Sequence, residues 1–176
     1  MVTTKEQEDS RLAVLRENTR LFEMDGNLLY IGGSPGKTQL LGHLQQYDTT
    51  ILEIDEKNAA GISMEYPTVV GDIRNAYNLF EPKQFDTIIW WHGPEHVYLY
   101  EIKGILIDLA TLCKGLIILG SPYGYYPQDA VGGNIHERHL SHLMPEDFEE
   151  LGYRTATVGK PESGPAGCIV AWRNFG

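Results

Sequence analysis

The stretch that decides the fold is YIGGSPGKTQLL, residues 30–41. Three glycines and a proline crowd one turn, GKT follows, and apolar residues then recur at helical spacing. A glycine-rich turn between a strand and a helix is the opening unit of a nucleotide- or nucleoside-binding α/β domain. Counting weighs against two versions of it. A P-loop needs Gly, four residues, then Gly-Lys-Ser/Thr. Counting back from Gly36-Lys37-Thr38 finds Ile31 where the first glycine must stand. The dinucleotide pattern Gly-x-Gly-x-x-Gly fails as well. From Gly32 it meets Ser34 and Lys37, and from Gly33 it meets Pro35 and Thr38. A nucleoside loop remains, with Gly32 and Gly36 leaving the backbone bare enough for a ribose and its substituent to pass closely.

Working outward, apolar runs alternate with helical patterns. Residues 5–24 carry Leu12, Leu15, Leu21 and Phe22 among charges, an amphipathic helix that Asp25-Gly26-Asn27 breaks. NLLYIG, TTILEID, PTVVGD, FDTIIWW and GLIILGS read as strands, separated by helical segments such as KTQLLGHLQQY, EKNAAGIS and EHVYLYEIKGILIDLATLC. These five runs are short and apolar, as strands covered on both faces are. YRTATVG and AGCIVAWRNF close the chain with only KPESGP between them, too short for a parallel crossover. The alternation predicts one doubly wound α/β domain over residues 27–176. Its seven-stranded sheet is mostly parallel, with an antiparallel C-terminal hairpin, and residues 1–26 form a helix packed against it. Ligands of such sheets lie beyond the carboxyl ends of the strands. Those ends are Gly32–Gly36, Asp55, Gly71–Asp72, Trp91–Glu95 and Ser121–Tyr126.

The chain has 176 residues, 42% of them apolar, and a net charge of −10. That balance disfavours nucleic acid, which is bound through Lys and Arg contacts to phosphates. Cys113 and Cys168 have no metal or redox spacing, and two buried, reduced thiols fit a cytoplasmic location. The start MVTTKEQEDSR is too polar for a signal peptide, and no apolar run reaches membrane-spanning length. A homodimer is compatible with the sequence and is not specified by it.

Over residues 27–175 the chain resembles the class I S-adenosylmethionine-dependent methyltransferases, whose domain is Rossmann-like. Their first motif is a strand, an acid, an apolar residue and Gly-x-Gly-x-Gly. Here Tyr30-Ile31-Gly32-Gly33-Ser34-Pro35-Gly36 aligns with it, with Tyr30 in the place of the acid and Ser34 in the place of the middle glycine. The resemblance implies that this turn meets the cofactor S-adenosylmethionine. It also implies that the acid ending the second strand, Asp55 with Glu56 beside it, accepts from both ribose hydroxyls. Asp55 can equally cap the helix that follows. In Gly71-Asp72-Ile73 the resemblance directs Asp72 to the adenine amino group and Ile73 to the ring; a turn aspartate is the alternative. FDTIIWWHGPEHV matches the family's fourth strand and turn. Trp91 would wall the pocket, where an aromatic face favours a sulfonium. Alternation sends Trp90 and Trp91 to opposite faces of the sheet. His92 would stand where donor and acceptor meet, while Glu95 and His96 open the next helix.

The loop SPYGYYPQDAVGGNIHERHLSH resembles a post-strand segment that closes over the acceptor. Tyr123, Tyr125, Asn134 and Arg138, with His136 and His139, would line or brace that pocket; a purely structural lid is the alternative. His136, His139 and His142 lie three apart, and no cysteine or carboxylate pattern supports zinc, so no metal is expected. Methyl transfer from a sulfonium is an in-line displacement that chiefly needs alignment and removal of water. An oxygen or nitrogen acceptor needs a base, for which His92 stands first, then His139 and His136. With no large substrate domain, the acceptor expected is a small molecule. The rival reading is a methyltransferase-like partner subunit without catalysis, since Tyr30 and Ser34 depart from the motif.

Overall fold

The computed structural model describes residues 4–33 and 39–175. Helix α1, Lys5–Asn18, starts at a capping box in which Thr4 and Gln7 satisfy each other's backbone N–H. It buries Leu12 and Leu15 against the sheet, and burying such side chains contributes roughly 1.5–3 kcal/mol each. Strand β1, Gly26–Ile31, is followed by β2, Tyr47–Glu53. Between them the described residues form a single 3-10 turn, Gln39–His43, shorter than the helix expected over residues 37–47. Tyr47, Thr49 and Ile51 alternate inward along β2, so a two-residue period replaces the helical one from Tyr47 onward.

Helix α2 covers Glu56–Ile62 and strand β3 Thr68–Val70. Helix α3 is the short Ala76–Leu79, and β4 is Phe85–Trp91, as read from the sequence. Helix α4, Leu99–Leu112, begins later than expected, because Pro94–His96 form a separate 3-10 turn that holds Glu95 and His96 over the end of β4. Then come β5, Cys113–Pro122, helix α5, Pro145–Glu149, and strands β6, Arg154–Val158, and β7, Cys168–Asn174.

The seven strands lie in the order β3-β2-β1-β4-β5-β7-β6. Neighbours from β3 to β5 pair in parallel, and β7 runs antiparallel to both β5 and β6. The strand order reverses between β1 and β4, and a ligand crevice forms at such a point. One face of the sheet packs against α3, α4 and α5, with Trp90 and Ile31 in that layer. The other packs against α1, the Gln39–His43 turn and α2, with Tyr30 and Trp91. No described helix is long and apolar enough to cross a membrane.

Candidate functional site

A cavity of about 310 Å³ opens at the carboxyl ends of β1 to β4, on the Trp90 face. Gly32, φ +83°, turns the chain out of β1 and donates its N–H to the Leu52 carbonyl at 2.9 Å. That left-handed backbone is one glycine adopts without steric cost. The next N–H, of Gly33, donates to Glu53 Oε2 at 2.7 Å, and Asp55 donates its N–H to Glu53 Oε1 at 2.9 Å. Glu53 is 5% exposed, so two backbone donors fix a buried carboxylate at the cavity wall. Strand β2 ends at Glu53, two residues earlier than the sequence reading placed it. Asp55 therefore falls at the helix start, where its Oδ1 accepts from the Asn58 N–H at 2.8 Å. The capping role is the one Asp55 has in the fold. Neither it nor Glu56, exposed in the first turn of α2, lines the cavity.

Asp72 and Ile73 do line it. Asp72 accepts from the Arg74 N–H at 2.9 Å and pairs with the Arg74 guanidinium at 3.2 Å; that guanidinium reaches Glu101 at 2.8 Å. Tyr30 is fully buried on the opposite face, where burial pushes its hydroxyl pKa up, and it takes no part in the cavity wall. Of the two tryptophans, Trp90 lines this cavity and Trp91 does not. Ser34 and Gly36 lie outside the described residues.

Trp91 lines a second, smaller cavity of about 130 Å³ on the other face, beside α1. Arg11 of α1 is 5% exposed and reaches into it. Its Nη1 donates to His92 Nε2 at 3.2 Å and its Nη2 to the Pro165 carbonyl at 2.8 Å. Arg11 escaped the sequence reading. Its place beside Leu12 and one turn before Leu15, on the buried stripe of α1, was the signal available.

His92, His96 and Glu137 line both cavities, so the two meet there. His92 leaves β4 with φ +50°, outside the usual range for a side-chain-bearing residue. Its Nδ1 lies 3.7 Å from Glu95 Oε1, and His96 Nε2 lies 3.9 Å from the same oxygen. His139 closes the group, its ring 5.2 Å from that of His96. Two backbone carbonyls fix the tautomers. His96 Nδ1 is 3.0 Å from the Arg138 carbonyl and His139 Nδ1 is 2.5 Å from the Tyr126 carbonyl. A carbonyl only accepts, so each Nδ1 carries the proton and each Nε2 keeps a lone pair. Glu95 is 3% exposed. Burial opposes its ionisation, but the imidazoles of His92, His96 and His139 outweigh that and hold its pKa at about 2. Burial pulls the His139 pKa down and so favours the neutral ring, against the opposing attraction of Glu95.

The loop after β5 divides between the cavities. Asn134, His136 and Arg138 line the larger one, and Tyr126, Gln128 and His139 the smaller. Tyr123 packs against the core, and Tyr125 is exposed and meets the His142 ring at 4.6 Å; neither lines either of these two cavities. The three spaced histidines thus point to three places.

No family model matches the sequence, and no curated protein matches it. Solved structures do. An S-adenosylmethionine-dependent methyltransferase from Archaeoglobus fulgidus is similar with a TM-score of 0.66 at 18% identity, over 95% of this chain and 94% of that one. The N-methyltransferase NodS from Bradyrhizobium japonicum WM9 gives 0.66 at 14% identity, over 97% of both chains. The N-terminal domain of EvdMO1, solved with SAH bound, gives 0.64 at 16% identity, over 99% of this chain and 83% of that one. The chain has the fold of the class I S-adenosylmethionine-dependent methyltransferases.

Proposed function

We propose that this protein is an S-adenosylmethionine-dependent methyltransferase acting on the oxygen or nitrogen of a small molecule. The observation that carries the reading is the pair of cavities meeting at His92 and His96, over the end of β4. The cofactor supplies an activated methyl group on a sulfonium. The larger cavity has the parts that fit it: a glycine turn at Gly32, a fixed carboxylate at Glu53 and apolar walls at Leu52 and Ile73. Glu53, in place of Asp55, accepts from the ribose hydroxyls; a carboxylate suits a vicinal diol because its two oxygens can serve both donors. Asp72 meets the adenine amino group and Ile73 the ring. Trp90, in place of Trp91, offers its face to the sulfonium.

The acceptor occupies the smaller cavity, between Trp91 and α1. A cavity of about 130 Å³ suits a small molecule better than a macromolecular segment. The residues there hold the acceptor in line and exclude water. In this reading the Nε2 lone pairs of His96 and His139 take the proton that leaves the acceptor. His92 has a positioning role: its Nε2 accepts from Arg11 and its Nδ1 faces Glu95. NodS is an N-methyltransferase, which supports a nitrogen acceptor as readily as an oxygen one.

A second reading draws on Tyr30. It stands fully buried where the family carries an acid, so no carboxylate there reaches the cofactor's amino group. That favours a non-catalytic partner subunit. Melting curves with S-adenosylmethionine and with S-adenosylhomocysteine separate the two. Ligand at 100 times its Kd stabilises by about 2.7 kcal/mol, a rise of roughly 5–11 °C for a chain of this size. No rise with either compound would leave the partner-subunit reading standing.

A further inference from the structure

Glu95, His96 and His139 each offer one metal-ligand atom, and these atoms lie within 4.8 Å of one another. We propose that they bind one divalent transition-metal ion, zinc foremost, at the point where the two cavities meet. Three observations carry this. First, the donor set is right: two imidazoles and one carboxylate make the open sites of zinc hydrolases and non-haem iron oxygenases, whereas magnesium and calcium prefer oxygen ligands throughout. Second, the tautomers are already set. The Arg138 and Tyr126 carbonyls hold the Nδ1 protons, which leaves both Nε2 lone pairs for a metal. Third, the carboxylate is short of partners. Glu95 is 3% exposed and its Oε2 has no hydrogen-bond partner, a costly arrangement for a buried charge that a cation would correct. His92, with Nδ1 at 3.7 Å from Oε1, helps to orient the carboxylate.

The separations are somewhat wider than the roughly 3.4 Å between ligands about 2.1 Å from a tetrahedral metal. His96 Nε2 lies 3.9 Å from Glu95 Oε1. The spacing that drew attention in the sequence, His136-x-x-His139-x-x-His142, supplies only His139. The other two ligands come from the Pro94–His96 turn. The ion would keep open positions toward the acceptor cavity, which Glu95, His96 and His139 all line.

Its role, which rests on the methyltransferase reading above, is to lower the pKa of a coordinated acceptor hydroxyl. The O–H proton passes to bulk water. The oxygen–carbon bond then forms as the carbon–sulfur bond breaks, and the sulfonium charge is cancelled. His139 is then a ligand, and no side chain need act as a free base.

The test uses the full chain, free of any polyhistidine tag and stripped with chelator. Co²⁺ is titrated in and followed by its visible d–d absorption, and Zn²⁺ by calorimetry. One equivalent is expected for each ion, with tetrahedral or five-coordinate cobalt bands. His139→Ala and Glu95→Gln should each weaken binding by about 100-fold or more, and His142→Ala should bind like the wild type. S-adenosylhomocysteine binding in chelator, measured on every variant, reports an intact larger cavity and tests the cofactor reading by itself. Absence of saturable Co²⁺ uptake by the wild type, or uptake that survives both ligand substitutions, would overturn the metal site. Homocysteine-nucleoside binding without metal binding would then leave the methyltransferase reading in place. Metal binding without nucleoside binding would do the reverse.

Discussion

Glu53→Gln and Asp55→Ala separate the two carboxylates at the end of β2. Glutamine keeps the volume of Glu53 but swaps one oxygen for an NH₂ group. The Gly33 N–H at 2.7 Å and the Asp55 N–H at 2.9 Å face opposite oxygens of the carboxylate. However the amide flips, one N–H meets another donor. A buried donor left without a partner costs about 1–3 kcal/mol, or about 2–12 °C in melting temperature for a chain of this size. Ligand binding loses more specifically. A hydrogen bond to a charged group contributes about 1.5–3 kcal/mol, so the Kd for S-adenosylhomocysteine should rise about 10- to 150-fold. Asp55→Ala removes only the bond from the Asn58 N–H. Losing an N-cap costs about 0.5–2 kcal/mol of stability, and the Kd should stay within about two-fold of wild type. Calorimetric titration with paired melting curves measures both quantities. If Asp55→Ala weakens the ligand as much as Glu53→Gln does, the assignment of Glu53 fails.

Gly93→Ala should displace an indole, because a Cβ there would collide with Trp90 Nε1. Overpacking of this kind costs about 1–3 kcal/mol, and a blue- or red-shifted tryptophan emission would accompany the lower melting temperature. Unchanged emission and stability would mean that the Trp90 placement is wrong. Trp90→Phe should weaken S-adenosylmethionine binding by about 2- to 30-fold, the range for cation–π contacts, with little change in acceptor KM. Trp91→Phe should raise acceptor KM and leave cofactor affinity alone; a swap of these phenotypes would count against the two-cavity arrangement. Burial pushes the Cys168 pKa up to about 11 and raises that of Cys113, so neither thiol of the native protein should react with an aromatic disulfide reagent at pH 8. Both should react in denaturant, and rapid labelling of the native chain would contradict their burial.

The fold was legible because strand and helix periods alternate cleanly. FDTIIWW is β4 to the residue, and the short KPESGP connection settles the antiparallel pairing of β6 and β7. The site was legible only where it depends on position along one strand. Gly32, Asp72 and Ile73 line the larger cavity, because Gly32 follows β1 directly and Asp72 and Ile73 lie two and three residues beyond the end of β3. Asp55 and Trp91 stand away from the larger cavity through local geometry that pattern alone does not carry. Strand β2 stops two residues early, and a tryptophan pair gives no sign of which ring takes which face. Glu95, His96 and His139 were each noticed, but their meeting needs a 3-10 turn and a loop more than forty residues downstream to fold together. Arg11 was missed because a buried arginine on a leucine stripe looks like any solvated charge on an amphipathic helix.

Strand β4 explains why there are two cavities. Trp90 and Trp91 alternate across the sheet, so each roofs one layer, and the larger and smaller cavities open on these opposite layers. His92, the next residue, leaves the strand in a left-handed conformation and so can border both. What encloses the smaller cavity is α1, through Leu12, Leu15 and Arg11, together with the loop after β5. Acceptor choice is therefore expected to reside in α1 as much as in the loop that resembles a lid. Arg11 also ties α1 to His92 and to the Pro165 carbonyl, so the helix that encloses the smaller cavity is anchored to a histidine that also borders the larger one. A substitution in α1 can then alter alignment across the junction without touching the larger cavity.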